Sequence, residues 1–184
     1  MNPIVSSVLS WWPWGLAVAV GLFWMVGAVS RLRRLRAAIA QAFGALVPVW
    51  QRRLAWVQAR AGASGSETGQ RLTAACGQCA LVLEQACKKP FDAARIQSLA
   101  LAGNALDAAW AAAAAGLPPD DAKSDAGGLT WDALGHQALP LEMAFNIQVA
   151  RYNRAIALFP ASVLALALRF KRAEPLPASG GGRT

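Results

Sequence analysis

The chain has 184 residues, a net charge of +8, three cysteines and one histidine. An odd cysteine count gives no disulfide framework and suits a reducing compartment, and a lone histidine removes most metal-ligand and proton-relay constellations. About 150 residues remain beyond an apolar start, enough for one domain with a real core.

From Met1 to Ser30 there is no charged side chain, and Trp11 to Val29 is an apolar run of 19 residues. At the helical rise such a run covers about 28 Å, close to the hydrocarbon thickness of a bilayer. Arg31, Arg33, Arg34 and Arg36 follow at once. Ala28-Val29-Ser30 has the small-x-small form of a signal-peptide cleavage site. The run nevertheless lacks a basic n-region, is long for an h-region and carries its charge on the far side, so an uncleaved anchor is the better reading. The positive-inside rule then puts residues 1–10 outside the cell, residues 11–30 across the membrane and everything from Arg31 inside. Trp11, Trp12 and Trp14 would form the outer aromatic belt, with Pro13 tolerated in a first helical turn. Placed against this anchor, the arginine cluster reads as a membrane-proximal contact with anionic head groups rather than a nucleic-acid site.

Helical periodicity takes over next. Ile39, Phe43, Leu46, Trp50, Leu54 and Val57 continue the first helix, with Pro48 as an expected kink. Residues 61–66 are a loop, and Ser66 can cap a second helix whose apolar positions are Leu72, Cys76, Cys79, Leu83 and Ala86. Cys76-x-x-Cys79 has no further ligands nearby, so all three cysteines read as buried helix thiols. Lys88 and Lys89 suit a helix end before Pro90. The third helix presents Ile96, Leu99, Gly103, Leu106 and Trp110, is extended by Ala111 to Ala115, and stops at the Gly/Pro/Asp loop 116–128. Asp120, Asp121 and Asp125 in that loop lack the glycine and glutamate spacing of a calcium loop and read as turn chemistry.

The fourth stretch is the longest: Trp131, Leu134, Ala138, Leu141, Phe145, Val149, Tyr152, Ile156 and Phe159. This is a heptad seam with a stutter near Pro140, which is expected to kink the helix or begin a second one, and Thr130 can cap its start. Ile147 and Leu158 lie on the opposite face, so the helix is expected to make contacts on two sides. Pro160 ends it; residues 161–170 can form one short helix, and the Pro/Gly/Ser-rich tail is expected to be disordered from 171 to 184. No β-type alternation of useful length occurs. The fold class is therefore all-α, with one transmembrane helix followed by an elongated antiparallel bundle of three to four helices over residues 31–170.

No G-x-S-x-G, phosphate-loop or H-E-x-x-H pattern is present, so no catalytic or metal site and no cofactor is expected. Asn146 and Asn153 stand seven apart beside the seam, where their amides can hydrogen-bond a neighbouring helix and set its register. Read together, Phe145-Asn146-x-x-Val149-x-x-Tyr152-Asn153-x-x-Ile156-x-x-Phe159-Pro160 resembles the signature of the LemA family. The stretch around Arg31 to Arg36, Ile39, Ala42 and Arg52-Arg53-Leu54 is also similar to that family. There are departures: Ala55-Trp56-Val57 replaces an apolar-Pro-Asn-Leu run, the loop 116–128 replaces a Tyr-Pro-x-Leu stretch, and Arg169 replaces a glycine before Phe170. The resemblance is to a divergent member. It implies an N-terminal membrane helix, a short outer segment and a helical cytoplasmic body at a bacterial inner membrane, and no reaction. The expected role is a non-enzymatic interaction or scaffold protein, with the bilayer and either a second copy or a membrane protein as partners. The alternative is a module that binds or remodels anionic membranes through its basic helix.

Overall fold

The computed structural model describes residues 3–61, 66–115, 130–158 and 171–177, with side chains from Trp14 onward. Four helices and no strand occur among the described residues: α1 (Pro3–Ala61), α2 (Glu67–Lys88), α3 (Ala93–Ala114) and α4 (Trp131–Ala157). Three of the starts are capped by the residues that chemistry favours there. Ser66 Oγ accepts from Gly69 N–H at 3.2 Å, Asp92 Oδ1 from Ala94 N–H at 3.2 Å and Thr130 Oγ1 from Ala133 N–H at 3.0 Å. The corner between α2 and α3 is tied by Arg95, whose guanidinium donates to the Gln85 carbonyl at 2.7 Å.

α1 is one unbroken helix through Pro13 and Pro48. It has two halves of opposite character. From Trp14 to Gly27 every side chain is exposed, apolar ones included, and the helix is long and apolar enough to cross a membrane by length and composition. From Leu32 onward a buried stripe begins: Leu32, Ile39, Phe43 and Leu46, then a wider face of Val49, Trp50, Arg53, Leu54, Trp56 and Val57. The stripe widens because α1 packs against α4 and α2, and Trp50 also reaches α3. α2 packs in turn on α3.

The contacts fix chain directions. Phe43 meets Phe145 with ring centroids 5.8 Å apart, while Trp56, further along α1, meets Trp131, earlier on α4, at 6.0 Å. α1 and α4 therefore run oppositely. Trp110 closes an aromatic cluster at that far end, 4.7 Å from Trp56 and 5.6 Å from Trp131. Such offset and edge-on pairs contribute about 0.5–1.5 kcal/mol each beyond area burial. At Gly103 of α3 the Trp50 ring of α1 comes against the backbone: a Cβ there would lie 2.6 Å from Trp50 Cη2.

The structure matches the expected apolar faces of α1, α2 and α3 and corrects three details. α4 continues through Pro140, so no second helix begins there. Glu142 is the more deeply buried position after Ala138, while Leu141, the expected seam residue, is partly buried and packs against the same core. Positions 141 and 142 flank the line from Ala138 to Phe145 about equally, so helix phase brings both to the core. Cys76 and Cys79 are buried, the former donating its thiol hydrogen to the Leu54 carbonyl at 3.4 Å, whereas Cys87 is exposed. It lies one position past Ala86, just off the buried stripe.

Candidate functional site

The residues that carried the family resemblance build one arrangement on α4. Phe145, Val149, Tyr152 and Ile156 are buried along the inner face, as their spacing requires. Asn146 and Asn153 sit half-buried beside them, two helical turns apart. Their amides do not bond a neighbouring helix. They hold residues 171–177, which lie along α4 as an irregular segment where a disordered tail was expected.

Each amide makes a reciprocal pair of bonds with one tail residue. Asn153 Nδ2 donates to the Ala173 carbonyl at 2.8 Å, and Ala173 N–H donates to Asn153 Oδ1 at 3.0 Å. Asn146 Nδ2 donates to the Leu176 carbonyl at 2.7 Å, and Leu176 N–H donates to Asn146 Oδ1 at 2.8 Å. The Tyr152 hydroxyl adds a fifth bond, donating to the Lys171 carbonyl at 3.1 Å. Ala173 and Leu176 turn their side chains into the core, while Lys171, Arg172, Glu174, Pro175 and Pro177 stay exposed. A carboxamide presents a donor and an acceptor side by side, so it satisfies both main-chain groups of one residue at once. Composition favoured disorder for this tail; the two apolar anchors and the amides opposite them outweigh it.

Burial pushes the Tyr152 phenol above its ordinary pKa, against the charge and hydrogen bond of Arg36. The phenol thus stays a donor across the neutral range. Arg36 itself is half-buried, its guanidinium 5.0 Å from the centroid of the Phe91 ring. This divides the expected basic cluster: Arg31, Arg33 and Arg34 are exposed, whereas Arg36 belongs to the packed helices. Its position one turn after Leu32 explains the difference. Phe159 and Pro160, the rest of the motif, lie outside the described residues, as do the loop 116–128 and the segment 161–170.

One buried polar centre escaped the sequence reading. Arg53 is 5% exposed, donates to Asp107 Oδ1 at 2.9 Å, and stacks 4.1 Å from the centroid of Trp131. Burial raises the Asp107 carboxyl above its ordinary value, and the Arg53 charge opposes that shift. The signal was there: Arg53 falls three residues after Trp50 and four before Val57, on the buried face. Cys79 is also pushed up, to about 11, first by burial and then by the neighbouring Cys76. A thiol held protonated is a poor nucleophile and metal ligand. Among the described residues no group of three or more His, Cys, Asp or Glu is placed to hold a metal ion.

The arrangement on α4 is binding chemistry: two carboxamides and a phenol that engage a main chain, flanked by apolar positions. No known family, curated protein or solved structure matches the chain.

Proposed function

We propose that this chain is a single-pass, membrane-anchored helical interaction protein of the LemA type, non-enzymatic, its cytoplasmic body an elongated antiparallel bundle at a bacterial inner membrane. The observation that carries the reading is the change of character within α1. Phe23 is 84% exposed and Val26 66%, whereas Leu32 is 1% exposed on the same helix. An all-round apolar sheath of that kind needs an apolar solvent, and Trp14 to Ser30 covers about 25 Å of the roughly 30 Å a bilayer offers. Arg31, Arg33 and Arg34 then mark the cytoplasmic edge. Met143 and Ile147 on α4, and Leu158 just past its end, are exposed and supply an outer apolar contact for a second copy or a membrane-protein partner.

Cys87 tests the topology directly. In intact cells a membrane-impermeant maleimide should leave it unlabelled, and opening the membrane alone, without denaturant, should make it react. Labelling from outside refutes the orientation. Equal recovery of the protein in soluble and membrane fractions refutes the anchor.

The three free arginines support a second reading, a module acting on anionic lipid. Each contributes on the order of 1 kcal/mol near an anionic surface. Strong remodelling of anionic vesicles by the full chain, abolished by changing Arg31, Arg33 and Arg34 to Gln, would favour it over the scaffold reading.

A further inference from the structure

The clamp on α4 matches two repeats. Asn146 and Asn153 are separated by seven helical residues, about 10.5 Å along the axis. Their partners Ala173 and Leu176 are three residues apart, and three residues of extended or polyproline-type chain cover about 9–10 Å. The agreement means that the amides read any chain that is extended, at every third residue. They read only its main chain. The side chains that count are two, a small one at the first position and a leucine three residues on, both buried. Prolines are tolerated at 175 and 177 because the two N–H groups used belong to 173 and 176. They also hold the segment near the extended form before it docks, which lowers the ordering cost.

The main-chain bonds are open to any extended chain, and the two buried side chains ask only for a small residue and a leucine three apart. Tethering supplies an effective concentration on the order of millimolar, which keeps the groove filled even when the intrinsic affinity is weak. We propose that the Asn146–Asn153 clamp is a docking groove for an extended, proline-containing segment of a partner protein with small-x-x-leucine spacing, and that residues 171–177 are its resident, displaceable occupant. The proposal rests on the interaction-protein reading but is independent of the membrane topology, so either can fail alone.

The test uses the full-length protein in detergent micelles and a fluorescein-labelled peptide spanning residues 170–178, followed by anisotropy. Leu176→Asp undocks the tethered tail. The peptide should bind this variant at least tenfold more tightly than the wild type, since a filled groove lowers apparent affinity by its open fraction. Adding Asn146→Ala and Asn153→Ala should abolish the gain. Methylating the peptide nitrogens at positions 173 and 176 should cost tenfold or more, and methylation at 174 should cost little. Equal binding to wild type and Leu176→Asp, or indifference to the methyl groups, overturns the proposal. A second measurement needs no variant: a peptide spanning 173–178 should accelerate tryptic cleavage of the wild-type chain after Lys171 and Arg172. An unchanged cleavage rate at saturating peptide also overturns it.

Discussion

Gly103→Ala probes a tight contact between α3 and the Trp50 ring of α1. In a helix interior the change gains about 0.8–1 kcal/mol of intrinsic propensity. At Gly77, on the exposed side of α2, nothing lies within 4 Å of the added Cβ, so that gain should appear nearly whole. At Gly103 the new methyl would sit 2.6 Å from Trp50 Cη2 and 3.2 Å from Cζ3, the edge of a rigid ring that is itself 4% exposed. Neither atom is the loose end of a flexible chain, so the indole or the α1–α3 spacing has to shift. Overpacking of this kind costs about 1–3 kcal/mol. The two alanine variants should therefore differ by about 1–3 kcal/mol despite identical chemistry. For a body near 150 residues, 1 kcal/mol corresponds to about 2–4 °C, so Gly77→Ala should melt several degrees above Gly103→Ala. Thermal unfolding of the full chain in detergent, followed by far-UV circular dichroism, reads the gap. A Trp50→Phe background removes the offending ring edge and should shrink the cost of Gly103→Ala, a coupling that a double-mutant cycle detects. If Gly103→Ala stabilises as much as Gly77→Ala, the close α1–α3 approach is wrong.

Phe145→Ala removes a fully buried ring packed on Phe43 and should cost about 3–5 kcal/mol, seen as a large drop in melting temperature. Arg151→Ala and Arg154→Ala, on exposed positions, should change it by less than about 0.5 kcal/mol. In the purified folded protein Cys87 should alkylate first, with Cys76 and Cys79 reacting only on unfolding; simultaneous reaction of all three refutes their burial. Because the folded-state pKa of Cys79 lies at about 11 against an ordinary 9.0, its unfolded thiol ionises first as pH rises. Stability should be intact below pH 9 and decline between about pH 9 and 11, and Cys79→Ala should flatten that decline. Changing Arg31, Arg33 and Arg34 to Gln should weaken association with anionic vesicles while leaving the melting temperature in place. Arg36→Gln should lower the melting temperature instead; the reverse pattern would mean the basic cluster is divided wrongly.

Much of the helical body was legible because its core faces obey one period. Leu72, Cys76, Cys79, Leu83 and Ala86 could be placed from spacing alone, and the caps at Ser66 and Thr130 from residue type. Position 142 was missed because a carboxylate was not expected inside, although it and Leu141 flank the line from Ala138 to Phe145 about equally and both meet the core. Arg53 was missed because charge outweighed phase in reading the sequence; burial beside Trp131 and Asp107 supplies what the charge needs. The asparagines were recognised as polar groups with a reason to lie beside a seam, but their partner is irregular chain, which has no periodicity to read. Ala173 and Leu176, three apart among prolines, were the one available sign.

In the membrane-anchored reading proposed above, the unbroken run of α1 from its apolar half into its packed half also fixes the height of the body over the bilayer. With Ser30 at the bilayer edge, Arg36 stands about 9 Å above it along the helix and Phe43 about 20 Å. Tyr152 is level with the first and Phe145 with the second, so the clamp occupies that same band. On that reading α1 would act as a ruler, and a segment docking on the clamp would have to reach it close to the bilayer surface.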